Sequence, residues 1–354
     1  MPESTVGQHT LRETRNSASA WEGVFPRIDN QAAALQELWD AAEEIVVTGC
    51  GSGLNIAHAV APFCQRLSGK TCRAVHASDL MLNRDAFLNP SRRTLAITYS
   101  RSGSTSESVR AQQAAAEAGA ATLAVTCFGD SPMAHAADIV LVLEEAHEES
   151  ITTTQSLTAM VLTGYYLAAV CTGQQDIIDG LQSLPALARD KMAAFETIGR
   201  ELSEDAAISK YAFLGSGPNY GLAREAQLKI KETVLLPVDS YVTLDYQHGP
   251  ISNVDDAMLV TVLMSDTAQA HYPEFVRNIK TLKGKVLLVC DRATDELRAA
   301  ADYLIELDAG LPDGIRDILY MPALQFLACY KSIAVGYDPD NPPNLHYFVE
   351  LETD

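Results

Sequence analysis

The sequence predicts an α/β protein made of two similar parallel-sheet units in tandem. Three observations carry that expectation. Short apolar strands alternate with helical stretches along the whole chain, the pattern of βαβ units. Each half opens alike, a strand running into a glycine-rich turn and then a helix: GCGSGLNIA from Gly49 and LGSGPNYGLA from Leu214. A length of 354 residues with 47% hydrophobic content is enough for two domains with full cores.

The elements follow in order. The start, MPESTVGQHTLRETRN, has no apolar run of the kind a signal peptide carries, which points to a cytoplasmic protein. In the first half, EIVVTGCGS, RTLAITYSRSG, ATLAVTCF and DIVLVLE read as strands. A helical region follows, TTTQSLTAMVLTGYYLAAVCTG and then DIIDGLQSLPALARDKMAAFETIG, expected to cap the first sheet and lead into the second. Its longest apolar run, AMVLTGYYLAAVC, is too short and interrupted to span a bilayer. In the second half KYAFLGSG, AMLVTVLMSD, KVLLVCD and DYLIELD are the strand candidates. The tail GYDPDNPPNLHYFVELETD is no regular helix, because Pro342 and Pro343 lack donors and fix φ.

Composition excludes several function classes. A net charge of −20 leaves no basic footprint for nucleic acid or an anionic membrane, so neither is an expected partner. The seven cysteines are scattered and never spaced as C-x-x-C, which argues for buried reduced thiols rather than disulfides or a zinc site. No motif calls for a metal or a cofactor.

The most informative stretch is LAITYSRSGSTSES, where a strand runs into Ser100, Ser102, Ser104, Thr105, Ser106 and Ser108 around Gly103. One hydroxyl suffices to cap a helix; six at a helix start suit an anion held by hydroxyls and free N–H groups, and Gly103 permits close approach. Ser52 in GCGSG and Thr153, Thr154 and Ser156 in ESITTTQSLT begin helices in the same way. Such starts, at the carboxyl ends of parallel strands, are where open α/β sheets bind ligands. GCGSGLN lacks the full dinucleotide fingerprint and no Walker lysine follows a glycine loop, so phosphate on a small molecule is preferred to a nucleotide.

Further on, GLAREAQLKIKETVLL sets Glu225, Lys229 and Glu232 at i, i+4 and i+7 on one helix face. Such a stripe is an ordinary solvated face or, beside a bound sugar, a proton-transfer apparatus: a carboxylate moving a proton between C1 and C2, with lysine orienting it. His248 follows in YVTLDYQHGP, just before a Gly-Pro turn, where a packed histidine and a proton-shuttling one are equally consistent with the segment.

These residues resemble the sugar isomerase (SIS) domain family, in particular the isomerase part of glucosamine-6-phosphate synthase and related amino-sugar-phosphate isomerases and deaminases. YSRSGSTSES is similar to the family's S-x-S-G-x-T phosphate loop, and LGSGPNYGLAREAQLKIKETVLLPVDSYVTLDYQHGP to its glycine-turn helix with H-G-P beyond it. The resemblance covers the chain from about Gln31 on and implies two SIS units, each a five-stranded parallel sheet between helices. The implied organisation is a lead segment over 1–34, units over 35–190 and 191–336, and a tail over 337–354 covering the active site. It implies phosphate contacts from Ser52, Ser100, Arg101, Ser102 and Thr105, with Thr153 near the sugar hydroxyls. It further implies Glu232 as the base, Glu225 and Lys229 as its neighbours, and His248 as a ring-opening residue given by the other subunit of a homodimer with shared sites. Nothing in the chain corresponds to the synthase's glutaminase domain. The synthase tail lysine is matched by Tyr347, with His346 before it as the candidate substitute. The expected activity is that of an isomerase or deaminase acting on a hexosamine 6-phosphate. A fructosamine-6-phosphate deglycase and a non-catalytic sugar-phosphate sensor are the alternatives.

Overall fold

The computed structural model describes residues 6–351; the first five residues of the lead segment and the last three of the tail lie outside the described residues. The chain divides into two units. One comprises Asn16–Ala186 with the segment from Asn344 onward; the other comprises the described residues up to Arg15 with Leu187–Pro343. The long helix Gln175–Glu204 and the tail each contribute to both.

In the unit containing Asn16–Ala186, five parallel strands, β1 (Glu44–Gly49), β2 (Thr71–His76), β3 (Thr94–Tyr99), β4 (Ala121–Thr126) and β5 (Ile139–Val142), lie in the order β2-β1-β3-β4-β5. β1 and β3 are buried along their whole length, as expected of central strands covered on both faces. One face packs Val46 and Ala96 against Leu80, Ala111 and Ala115 of the helices Ala77–Leu82 and Ser106–Glu117. Against the other lie the helices Ser52–Ser68 and Gln155–Cys171, which meet closely at Gly164, where a Cβ would come within 2.6 Å of Val60. The lead segment is helical, and Trp21, fully buried on Ser17–Asp29, donates its indole N–H to Thr158 Oγ1 at 2.9 Å.

The second sheet repeats the arrangement. Its strands are β6 (Lys210–Gly215), β7 (Val238–Val242), β8 (Met258–Leu263), β9 (Lys285–Cys290) and β10 (Tyr303–Glu306), all parallel in the order β7-β6-β8-β9-β10. Val260, Val262, Val286 and Leu288 pack on Phe275, Val276 and Ile279 of the helix Tyr272–Thr281. The helix Pro218–Thr233 packs on β6 and β7 and against the helix Met321–Ala334.

Eight of the ten strands coincide with the apolar runs picked out in the sequence. The two others, β2 and β7, are edge strands whose residues are largely half-buried or exposed, so they carry no continuous apolar run. All seven thiols are unpaired; six are buried and Cys50 is half-buried. Burial pushes Cys72 up to about 11 and Cys171 and Cys290 to about 12, so these thiols are inert at neutral pH.

The repeat reaches the backbone of the glycine turns. Gly51 and Gly217, each preceding a helix, have φ/ψ of 51/−117° and 58/−131°, a left-handed region that only glycine enters easily. Two residues earlier, Gly49 and Gly215 let the helix start close on the strand end: an added Cβ would lie 2.7 Å from Tyr99 O at Gly49 and 2.2 Å from Asn219 O at Gly215. Because the opposing atoms are backbone, Gly49→Ala is expected to cost at least about 2 kcal/mol. Its thermal midpoint should fall by more than about 4 °C, measurable by calorimetry.

Candidate active site

The strand β3 ends in the hydroxyl loop, and the loop is fixed from below by the exit of β4. Thr126 Oγ1 and Cys127 N both donate to Arg101 O, at 3.1 and 3.0 Å, and Met133 N donates to Gly103 O at 3.0 Å. Gly103, with φ of +63°, lies so close to Ser131 that a Cβ would fall 2.1 Å from its Oγ. The six hydroxyls divide by role. Ser100 Oγ accepts from Gly103 N at 3.2 Å, Ser106 Oγ accepts from Leu351 N at 3.0 Å, and Ser108 donates to Cys50 Sγ at 3.6 Å. Ser104 turns back on Ser102, its N–H donating to Ser102 Oγ at 3.1 Å. Thr105 occupies the N-cap of Ser106–Glu117, yet among the described residues its side chain makes no capping hydrogen bond. That separates it from an ordinary capping threonine.

Beside the loop, Ser52 Oγ at the start of its helix and Thr153 Oγ1 lie 2.9 Å apart. The structure therefore groups Ser52, Ser100, Ser102, Thr105 and Thr153 within one unit. Arg101 was expected to touch phosphate. Its guanidinium, with a side chain only 8% exposed, pairs with Glu148 at 3.1 Å and donates to the carbonyls of Ser150 at 3.0 Å and Ile151 at 2.8 Å.

Glu148 escaped the sequence reading. Its side chain is fully buried. Oε1 accepts Thr154 N at 2.6 Å, Thr154 Oγ1 at 3.0 Å and Ser156 N at 3.0 Å, while Oε2 accepts Ser156 Oγ at 2.5 Å. It thus caps the helix Gln155–Cys171 from outside, a carboxylate on orphan N–H groups. The only sequence signal was an acidic residue shortly before a hydroxyl-rich helix start. The tail completes this cluster: Tyr347 lays its ring 3.9 Å from the Arg101 guanidinium carbon and donates its hydroxyl to Glu148 O at 3.0 Å. Val349 O accepts Ser106 N at 3.1 Å. His346 is exposed.

In the other unit, the helix Pro218–Thr233 carries the carboxylates. Lys229 Nζ sits 3.2 Å from Glu225 Oε1 and 2.8 Å from Glu232 Oε2. Glu225 is 0% exposed and Lys229 2%, whereas Glu232 keeps 22% of its surface open. Only the last of the three is accessible to a substrate. Burial pulls the Lys229 pKa down, but the two carboxylates outweigh it and hold it above the ordinary lysine value. The helix end is fixed by Ser332, whose hydroxyl donates to Thr233 O at 2.8 Å. His248 lies on a loop of two short 3₁₀ turns, Leu244–Gln247 and Pro250–Asn253, anchored by buried Tyr246, whose ring meets those of Tyr241 and Phe275 at a tilt. The histidine is exposed, and the next residue, Gly249, has φ of +125°.

Two five-stranded parallel sheets, one followed by a hydroxyl-rich loop and the other carrying a carboxylate–lysine helix, define a tandem α/β protein of two similar units. The chain belongs to the SIS domain family, whose model matches residues 37–170 and 208–329. Among curated proteins it is 27% identical over 344 residues to a glutamine–fructose-6-phosphate aminotransferase (isomerizing) of Methanothermobacter thermautotrophicus, across 97% of this chain and 57% of that one. The chain therefore spans little more than half the length of that relative. Among solved structures, tagatose-6-phosphate ketose/aldose isomerase of Escherichia coli superposes with a TM-score of 0.83 at 25% identity, covering 96% of each chain. A glucosamine-6-phosphate deaminase of Thermotoga maritima shares the fold, with a TM-score of 0.75 at 23% identity over 93% of this chain and 100% of that one. Among the described residues no helix is long and apolar enough to cross a membrane.

The buried triad makes a direct prediction. Lys229→Met leaves Glu225 without its counter-ion, so stability at neutral pH should fall by about 3 kcal/mol or more in denaturant titrations. With its folded pKa raised, Lys229 contributes stability that is fully present below the free lysine value and lost as pH climbs through the folded one. The parent's advantage over the variant should persist at neutral and mildly alkaline pH and shrink only in strong alkali.

Proposed function

We propose that this chain is a phosphosugar isomerase or deaminase that acts on a hexosamine 6-phosphate by aldose–ketose proton transfer. The observation that carries the reading is the graded burial of the helix triad. Glu225 and Lys229 are sealed in while Glu232 alone stays reachable, an arrangement that presents one carboxylate held by a buried lysine. In this reading Ser102, Thr105, Ser52, Ser100 and Thr153 supply the phosphate and sugar-hydroxyl contacts. Glu232 takes the proton from C2 of the open-chain sugar, the electron pair moves into an enediol or enolamine, and the proton returns at C1. Lys229 holds the carboxylate and offsets charge as it develops. His248 moves a proton at the ring oxygen during opening, and no metal or cofactor takes part. The names of the relative and of the neighbouring structures, all hexose- or hexosamine-phosphate enzymes, support this class.

A panel of hexose, hexosamine and fructosamine 6-phosphates, scored separately for ammonia release and for carbonyl interconversion, tests it. Turnover of a hexosamine 6-phosphate supports the reading, amine release from a fructosamine 6-phosphate alone would make the protein a deglycase, and binding without turnover would make it a sensor. In the same assay Glu232→Gln should still bind substrate but lose turnover by about 10²-fold or more. Exchange of the C2 proton at the parent rate in that variant would remove Glu232 from the mechanism.

The active form in this reading is a homodimer in which His248 serves the partner's Glu232, since its exposed loop is free to project. Mixing His248→Ala with Glu232→Gln should then restore activity at about a quarter of the sites after random subunit exchange. Complete exchange, verified by mass, with no recovery would place His248 outside the partner's site.

A further inference from the structure

We propose that Glu148 is a positioning residue for the phosphate site and that Arg101, its ion-pair partner, does not ligate the phosphate. The inference rests on the phosphosugar reading and says how that site recognises its anion. Arg101 is the cation built into the hydroxyl loop, and on charge alone it is the obvious phosphate ligand. Its geometry argues otherwise. Nη1 is engaged by Glu148 Oε2 and the Ser150 carbonyl, Nη2 by the carbonyls of Ile151 and, at 3.4 Å, Tyr347, and the Tyr347 ring covers the guanidinium. Turning outward would strand a fully buried carboxylate and break the carbonyl contacts that shape residues 150–151.

Glu148 uses its remaining capacity on the segment that carries Thr153. By accepting from Thr154 and Ser156 through both N–H groups and both hydroxyls, it fixes the backbone on either side of the helix start. Thr153 is thereby held with its hydroxyl 2.9 Å from that of Ser52. Arg101 in turn ties Glu148 to the hydroxyl loop itself, so one buried pair sets the spacing between two anion-facing segments. The pair is also neutral. The phosphate is then met by hydroxyls and peptide dipoles rather than by an uncompensated cation, in the manner of anion sites at helix starts.

The test uses the whole protein, with fructose 6-phosphate and glucosamine 6-phosphate as calorimetric probes and circular dichroism to verify that each variant folds. Glu148→Ala should weaken binding about tenfold or more and raise KM while kcat stays within about twofold, because phosphate anchoring acts equally on ground and transition states. Glu148→Gln, which keeps an acceptor for the N–H groups but leaves Arg101 without its counter-charge, should lose less affinity than the alanine variant. Arg101→Gln should also weaken binding, and adding Glu148→Gln to it should restore most of that loss, because the damage is a lone buried charge. A double variant as weak as Arg101→Gln, or folded Glu148→Ala with parent affinity, would overturn the inference and leave the phosphosugar reading standing. Parent protein that binds neither sugar phosphate would overturn both. If the variants fail to fold, the parent decides: with Arg101 withheld from the phosphate and a net charge of −20 repelling the ligand, affinity should hold or rise as salt increases from about 0.02 to about 0.2 M. A steep fall over that range would put a charged side chain on the phosphate and sink the proposal.

Discussion

The buried ion pair of Arg101 with Glu148 is the contact through which the hydroxyl loop, the helix start at Gln155 and the carboxyl-terminal tail are made one rigid structure. A charge pair with so little solvent exposure contributes little or nothing to net stability, because desolvating two ions offsets most of their attraction. Its value is geometric. A carboxylate that must satisfy four donors and a guanidinium admits few alternative placements, and a guanidinium that bridges a carboxylate, three carbonyls and an aromatic ring admits fewer. Loops at the ends of parallel strands are usually the mobile part of such folds. Here the loop carrying Ser102 and Thr105 is held from β4 by Thr126 and Cys127, from the next turn by Ser131 and Met133, and from the tail by Val349 and Leu351. A site preorganised in this way spends little ordering entropy when the ligand arrives.

The two repeats share a strand order, and the loops that follow their equivalent strands differ in what fills them. β8 holds in its sheet the place that β3 holds in the other, next to the first strand of the repeat and before the fourth. After β8 the position is filled from within. Asp313 accepts the hydroxyl of Ser265 at 2.5 Å and the N–H of Asp266 at 2.8 Å, and nearly fully buried Arg316 bridges Asp266 and Asp313. An internal carboxylate thus occupies the donors that would otherwise receive a ligand. After β3 the buried carboxylate of Glu148 is instead turned toward Arg101 and the next helix.

How far the sequence could carry this argument depends on burial. Central strands such as EIVVTG and TLAITY read plainly because both faces are covered; TCRAVH and VDSYV did not, since an edge strand needs no continuous apolar run. The hydroxyl loop was legible from density alone, six hydroxyls where one would cap. The stripe of Glu225, Lys229 and Glu232 was legible as a face but not as a site, because three charges at helical spacing look the same whether solvated or sealed. Only the packing of that helix on β6, β7 and the helix Met321–Ala334 reveals that two are buried and one is open. Glu148 was illegible for the converse reason. Within HEES it resembles any exposed acid, and its partners are 47 residues upstream and eight downstream.

These features fit together once the global charge is considered. At −20 the chain repels anions at long range, so an arrangement that relied on a bare cation to draw phosphate in would work against its own field. Screening confines that repulsion to about 8–10 Å at physiological ionic strength, whereas hydroxyls and peptide N–H groups act at contact. Under the proposed reading, a hydroxyl-lined loop would recognise a phosphate by shape and hydrogen-bond geometry rather than by charge. A related arrangement holds on the helix Pro218–Thr233, where Lys229 pairs with carboxylates on both sides and the most exposed of the three groups is Glu232.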